Sequence, residues 1–356
     1  MQIATALKNL INESPIGLRG RLITIYSLLA ILNIGAWVWA FMAFYNQPAL
    51  LGMALVIYGL GLRHAVDADH IAAIDNVTRK LMQANQRPVS VGFFFALGHS
   101  AIVILVAVAV AGAATMLGSF QSLQSVGGVI STSISALFLF AIAAMNIVIF
   151  LSVYKSYRRV MAGGTYVEED LDILLNNRGF LARIFKPLFR LVTKSWHMFL
   201  IGFLFGLGFD TATEVAMFGV SAAQAAKGVS VLSITAFPVL FAAGMSLVDT
   251  TDGVLMLGAY DWAFFKPMRK LYYNMTITLV SIIVAVLIGG IEALGLIADQ
   301  LGLTGGFWDG VGTLNDNFNN LGFAIIGVFM LAWVVSIVIY KVKRLDDVDV
   351  KHSSAV

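Results

Sequence analysis

Between Arg63 and Ile71 the chain reads Arg-His-Ala-Val-Asp-Ala-Asp-His-Ile. Two imidazoles (His64, His70) and two carboxylates (Asp67, Asp69) crowd a stretch that is otherwise membrane-like. Residues 50–62 before it are apolar and punctuated by glycine, with Tyr58 as the one polar ring, and residues 71–74 after it are apolar again until Asp75 and Asn76. A charge near the centre of a bilayer costs on the order of 3 kcal/mol on insertion scales, so such a cluster implies a purpose. Imidazole and carboxylate together suit a divalent transition metal. The chemistry implied is reversible coordination of such an ion inside a membrane transporter, with proton transfer as the related alternative.

Spacing narrows the set without closing it. On an ideal helix His64, Asp67 and His70 step by three and fall within about 120° of one face. Asp69 then points elsewhere and serves as a partner to an imidazole or to a neighbouring helix. If instead the helix unwinds here, as discontinuous transporter helices do, Asp69 joins the site. His99 stands in Ala-Leu-Gly-His-Ser on the next apolar segment, either as a ligand or proton relay or as a helix–helix hydrogen bond between small residues. Asp210-Thr-Ala-Thr-Glu214 puts two carboxylates one turn apart. Gly-Met-Ser-Leu-Val-Asp-Thr-Thr-Asp-Gly adds Ser246, Asp249 and Asp252. The candidate metal-binding residues are therefore His64, Asp67, Asp69, His70, His99, Asp210, Glu214, Ser246, Asp249 and Asp252. One salt bridge to Arg63 would account for only one of the acids on the later segments.

The elements that carry these residues are membrane helices. Of the 356 residues, 59 % are hydrophobic and 12 % charged, too little charge for the polar shell of a soluble domain. Eight segments reach the roughly 20 apolar residues that span a bilayer: 22–45, 50–74, 89–116, 126–154, 196–222, 229–258, 271–297 and 321–340. With the N-terminus inside, all of the 23 basic residues except Arg63 and Lys227 fall on the cytosolic side. The expected architecture is an all-α integral membrane protein with eight transmembrane helices and both termini cytoplasmic. Residues 1–154 and 196–341 form two four-helix halves, joined by a long inner loop, 155–195, and followed by a tail, 342–356. The loop, with its acidic run Glu168, Glu169, Asp170 and Asp172, reads as a solvated linker. The outer segment 299–320, rich in Gly, Asn and Asp, reads as a loop, and Glu292 as interfacial. No cleavable signal peptide is expected. Two internal matches stand out. Gly92-Phe-Phe-Phe-Ala-Leu-Gly-His-Ser100 resembles Gly202-Phe-Leu-Phe-Gly-Leu-Gly-Phe-Asp210, and the stretch from Gly61 loosely resembles that from Gly244, in opposite order in the two halves.

Absences exclude other classes. With no Cys there are no thiolate sites or disulfides. There is no Gly-x4-Gly-Lys-Ser/Thr phosphate loop, so no ATPase motif, and no His-Glu-x2-His. The topological placement of Lys and Arg leaves nothing that calls for nucleic acid. No enzyme and no resident cofactor are expected.

These motifs resemble a known family. Arg63-His-Ala-Val-Asp-Ala-Asp-His-Ile71 looks like the signature of the nickel/cobalt transporter family (NiCoT) of bacterial secondary permeases. Phe95-Ala-Leu-Gly-His-Ser100, Leu207-Gly-Phe-Asp-Thr-Ala-Thr-Glu214 and Gly244-Met-Ser-Leu-Val-Asp-Thr-Thr-Asp-Gly253 resemble its further motifs. The resemblance implies high-affinity uptake of Ni2+, sometimes with Co2+, across a bacterial cytoplasmic membrane. It also implies that His64, Asp69 and His70 are needed for transport and that His99 affects metal preference. Competing expectations are a proton-driven exporter of the same metals, a membrane-embedded metal-dependent hydrolase using His64, His70 and Asp210, and a metal-sensing receptor.

Overall fold

The computed structural model describes residues 17–84, 86–112, 117–163, 192–207, 212–263 and 267–343. The N-terminal lead-in, most of the inner loop with its acidic run, Asp210 and the tail lie outside these. Among the described residues the ordered elements are all helices: α1 (Leu18–Phe44), α2 (Pro48–His64), α3 (Ala68–Gln83), α4 (Val91–Gly112), α5 (Leu117–Met161), a 3-10 turn (Ser195–His197), α6 (Met198–Phe205), α7 (Ala212–Ala226), the single turn α8 (Val231–Ile234), α9 (Ala236–Ala263), α10 (Pro267–Leu301), α11 (Gly306–Asp316) and α12 (Phe318–Val342). Among the described residues six spans are long and apolar enough to cross a membrane, within 18–44, 91–111, 132–161, 231–259, 271–301 and 320–342. The α2–α3 pair makes a seventh if it counts as one span bent by 51°. The chain is thus an all-helical, multi-pass membrane protein. Burial orders the helices radially. In α9 61 % of the spanning window is buried, against 22 % in α1 and 24 % in α12, so α9 is the axis and the other two face lipid.

Two of the expected continuous spans are broken. The 50–74 segment ends as a helix at His64, turns through residues 65–67 and restarts at Ala68, with Asp67 extended (φ −64°, ψ 146°) at the new N-terminus. The helix then runs on through Asp75 and Asn76 to Gln83. In the 196–222 segment α6 ends at Phe205 in a turn at residues 206–207, and α7 is described from Ala212. Arg79 and Lys80, expected in an inner loop, are buried in α3. The Arg79 guanidinium donates to Thr278 Oγ1 at 2.8 Å and to Asn76 Oδ1 at 3.0 Å, and Asn146 Nδ2 donates to the same Asn76 oxygen at 2.6 Å. That network satisfies both terminal nitrogens of the guanidinium, while Nε has no hydrogen-bond partner among the described residues. Glu292, expected at the interface, is buried and accepts from Ser135 Oγ at 2.9 Å. The outer 299–320 segment contains helix α11 where a loop was expected. Phe307, Val311 and Leu314 recur at helical spacing, a pattern that its Gly and Asp content obscures.

Close packing is set by glycines that pair across parallel helices. A Cβ on Gly61 of α2 would overlap the Phe241 carbonyl of α9, and one on Gly244 of α9 would stand 2.8 Å from the Tyr58 carbonyl of α2. The same reciprocity joins α4 and α6: Gly98 lies against the Phe199 carbonyl, and Gly202 against the Phe95 carbonyl. Gly92 of α4 abuts the Asp249 carbonyl of α9, and Gly322 of α12 abuts the Val66 carbonyl in the α2–α3 bend. Small residues permit this backbone approach, which drives helix association in lipid. The internally similar stretches of the sequence are thus helices that pack on each other, α2 with α9 and α4 with α6.

Candidate metal site

The site forms where both broken helices break. His64 is the last residue of α2, His70 sits in the first turn of α3, His99 is mid-helix in α4, and Glu214 is in the first turn of α7. All four are buried. The three imidazole centroids are 4.8 Å (His64–His70), 4.9 Å (His64–His99) and 5.0 Å (His70–His99) apart. One ring nitrogen from each lies within 4.8 Å of the others. Imidazole–metal bonds are about 2.1 Å, so ligands on opposite sides of an ion stand no more than about 4.2 Å apart. Shifts of a few tenths of an ångström would close the triad around a divalent ion. Phe95, edge-on to His70 at 4.8 Å, and Phe241, 5.4 Å from His64, supply apolar walls.

Hydrogen bonds to the far sides of the rings fix their tautomers. His64 Nδ1 is 3.0 Å from Asp67 Oδ2 and 3.1 Å from Thr213 Oγ1. A carboxylate can only accept, so Nδ1 carries the proton and Nε2 presents a lone pair. His70 Nδ1 donates in the same way to Asp249, 3.2 and 3.3 Å from its two oxygens. The Nε2 of His70 is buried with no hydrogen-bond partner among the described residues. On the third ring, His99 Nε2–H donates to Glu214 Oε1 at 2.9 Å and lies 3.1 Å from His64 Nε2. Glu214 Oε1 is also 3.9 Å from His64 Nε2. With the His99 proton moved to Nδ1, which has no hydrogen-bond partner among the described residues, Nε2 and the Glu214 carboxylate both become free to coordinate. The chemistry available is three imidazole nitrogens and a carboxylate oxygen, supported by two further carboxylates, a set suited to Ni2+, Co2+ or Zn2+.

The candidate residues therefore divide. His64, His70, His99 and Glu214 come together, and Asp67 and Asp249 stand behind the histidines rather than among them. Asp69 is half-buried in the first turn of α3, beside His70 in sequence, and makes no hydrogen bond to an imidazole of the triad among the described residues. Ser246 is buried on α9 one turn before Asp249, its carbonyl accepting from Thr250 Oγ1 at 2.6 Å. Asp252 lies further along α9, away from the triad's hydrogen bonds. Arg63 is exposed and is not the counter-ion of the buried acids. Thr213 was missed in the sequence, although its place beside Glu214 in Asp-Thr-Ala-Thr-Glu was a usable signal.

Comparison with known proteins agrees with this geometry. A family model described as high-affinity nickel-transport protein (NicO) matches residues 50–339. The chain is 60 % identical over 334 residues to a high-affinity nickel transport protein of Cupriavidus necator, covering 94 % of this chain and 95 % of that one. It is 52 % identical over 309 residues to a hydrogenase nickel incorporation protein of Bradyrhizobium diazoefficiens, covering 87 % and 81 %. A cobalt transport protein of Rhodococcus rhodochrous is 36 % identical over 323 residues, covering 88 % and 91 %. No solved structure matches. A match over most of the chain, with the three histidines inside it, settles the affiliation: the chain belongs to the high-affinity nickel-transport (NicO) family.

Proposed function

We propose that this protein takes up Ni2+, and also Co2+, through the bacterial cytoplasmic membrane as a secondary permease. It is a transporter and not an enzyme, in keeping with its family and its relatives. The observation that carries the reading is the buried triad of His64, His70 and His99 with Glu214, drawn from α2, α3, α4 and α7, the first two being the arms of one span bent at the site. A site shared between discontinuous helices near mid-membrane is the arrangement that lets an ion be reached from either side in turn. The exporter, hydrolase and receptor alternatives have no observation in their favour.

In this reading the membrane part comprises eight spans in two halves of four, with residues 155–195 between them and both termini in the cytosol. The α2–α3 and α6–α7 pairs count as one interrupted span each. The dication sheds water as His64 Nε2, His70 Nε2, His99 Nε2 and Glu214 replace it. Asp67 and Asp249 hold the imidazoles in the tautomer that presents a lone pair. An inside-negative potential favours a dication by about 4.6 kcal/mol per 100 mV, roughly three decades of concentration, so accumulation proceeds without ATP.

The test is radiolabelled Ni2+ uptake into proteoliposomes under a clamped inside-negative potential, with Co2+ and Zn2+ as competitors and His64→Ala as control. Saturable, potential-driven uptake that His64→Ala abolishes is the expected result. Uptake that survives in the variant refutes the site, and binding without accumulation refutes the permease.

A further inference from the structure

The link between α10 and α12 carries a helix that the membrane spans do not account for. α11 has 11 residues. That is about 16 Å at the helical rise, against the roughly 30 Å of a bilayer core, so it cannot cross. It is nevertheless two-sided. At about 100° per residue Phe307, Val311 and Leu314 fall on one side, and Asp309, Thr313 and Asp316 on the other. One edge rests on α10: Val311 is buried, and Asn315 Nδ2 stands 2.8 Å from the position a Cβ on Gly295 would take. Beyond that edge the apolar side is bare. Phe307 is 64 % exposed and Leu314 43 %, while Asp309, Thr313 and Asp316 are exposed on the opposite side. The neighbours in the chain are bare in the same way. Ile297 and Leu301, one turn apart at the end of α10, are exposed, as is Phe323 near the start of α12, and both helices are membrane spans. Trp308 packs edge-on against Phe307, ring centroids 5.0 Å apart at 79°. Tryptophan gathers where headgroups meet hydrocarbon, because its ring is apolar and its N–H is not.

We propose that α11 lies in the plane of the membrane surface, on the side where α10 ends and α12 begins, with Phe307 and Leu314 sunk in lipid and the carboxylates of Asp309 and Asp316 in water. The inference goes beyond the transport reading and needs only the multi-pass membrane fold. Its partner is the acyl region of the bilayer rather than a particular headgroup. Helices that bind a membrane from solution carry Lys or Arg on the polar face to attract anionic lipid. Residues 299–320 contain neither. α11 does not need that attraction, because the spans joined to both its ends already hold it at the surface. The apolar edge then has only to set the roll of the helix, and the acids complete the two-sidedness by preferring water.

The chain has no cysteine, so single cysteines introduced into the full-length protein can each carry one nitroxide. Phe307→Cys, Asp309→Cys, Leu314→Cys and Asp316→Cys, all at exposed positions, are labelled and reconstituted in phosphatidylcholine vesicles. Relaxation of each label by oxygen, which concentrates among acyl chains, is compared with relaxation by chromium oxalate, which stays in water. The oxygen-to-chromium ratio should be about tenfold higher at 307 and 314 than at 309 and 316, as expected of an apolar face sunk about 5–10 Å into lipid. Should the label at 307 disturb the fold, Leu314→Cys against Asp316→Cys, two residues apart, carries the comparison alone. Ratios that are equal at all positions and dominated by chromium oxalate mean a helix standing clear of the bilayer, and overturn the proposal. Labels at 307 and 314 that neither reagent reaches overturn it as well, since a second copy of the chain or another protein then covers the edge. The transport reading is tested by Ni2+ uptake and can fail without changing any of these ratios.

Discussion

The His70–Asp249 pair offers the sharpest test of how the site is held. His70 presents Nε2 because Nδ1–H is taken by Asp249, whose two oxygens sit almost equidistant from it, at 3.2 and 3.3 Å. No second acceptor for that proton is recorded among the described residues. In Asp249→Asn one of those oxygens becomes an NH2 group. If the amide donates, the imidazole proton moves to Nε2 and the ligand lone pair is lost; if the amide oxygen accepts, the ring stays oriented but without the negative charge that made it a stronger base. Loss of such a partner ordinarily costs 10- to 100-fold in metal affinity, or about 1.4–2.8 kcal/mol. Asp67→Asn provides the internal comparison. His64 Nδ1 has Thr213 Oγ1 at 3.1 Å as a second acceptor, so the tautomer survives the change and the loss should be under about tenfold. The assay is the half-saturation concentration for Ni2+ uptake in proteoliposomes at fixed potential. Equal effects of the two substitutions, or none from Asp249→Asn, would refute the tautomer argument even if the histidines prove essential.

Other outcomes follow from the same geometry. The histidines bind metal only when unprotonated, so the half-saturation concentration should rise as pH falls, by up to a decade per pH unit for each imidazole that must lose a proton; a value flat between pH 7.5 and 5.5 would contradict histidine ligation. Gly98→Ala drives a Cβ into the Phe199 carbonyl and should lower stability by about 1–3 kcal/mol in a detergent melt, whereas Gly219→Ala on α7, with no atom within 4 Å of its Cβ, should be neutral or stabilising by up to about 1 kcal/mol. Gly322→Ala, far along the chain from every histidine of the triad, should nevertheless weaken Ni2+ uptake, because its Cβ displaces the Val66 carbonyl in the bend between His64 and His70.

Much of the site was legible because membrane sequence makes polar residues conspicuous. His64, His70, His99, Glu214 and Asp249 each stood out against apolar neighbours, and all of them meet in, or directly behind, the triad. Their roles were less legible. Steps of three at His64, Asp67 and His70 fit one helical face, yet the face does not exist, since the helix stops at His64 and restarts at Ala68. Nothing in residues 65–67 is a helix breaker such as Pro or Gly, and the residue packed closely against the Val66 carbonyl in the bend, Gly322, lies more than 250 residues away. Hydropathy found the straight lipid-facing helices α1 and α12 but could not divide α6 from α7, because an interrupted span and a continuous one have similar composition. Asp75 and Arg79 were read as the end of a span and the start of a loop. Burial with Asn76 on the same helix and with Asn146, Thr278 and Ser281 on two other helices, α5 and α10, is what keeps them inside.

The break at residues 65–67 also changes the field in which the ion sits. An α-helix is a row of aligned peptide dipoles, equivalent to about half a negative charge at its C-terminus and half a positive charge at its N-terminus. A continuous helix through His64 and His70 would present neither end here. The interrupted one sets the carbonyl end of α2 at His64, while the amide end of α3 is met by Asp67 and Asp69. Part of the attraction for a dication is therefore built from main chain and belongs to no side chain. Substituting the histidines one after another should lower affinity towards a floor above zero, and only a change that straightens the bend should remove what is left.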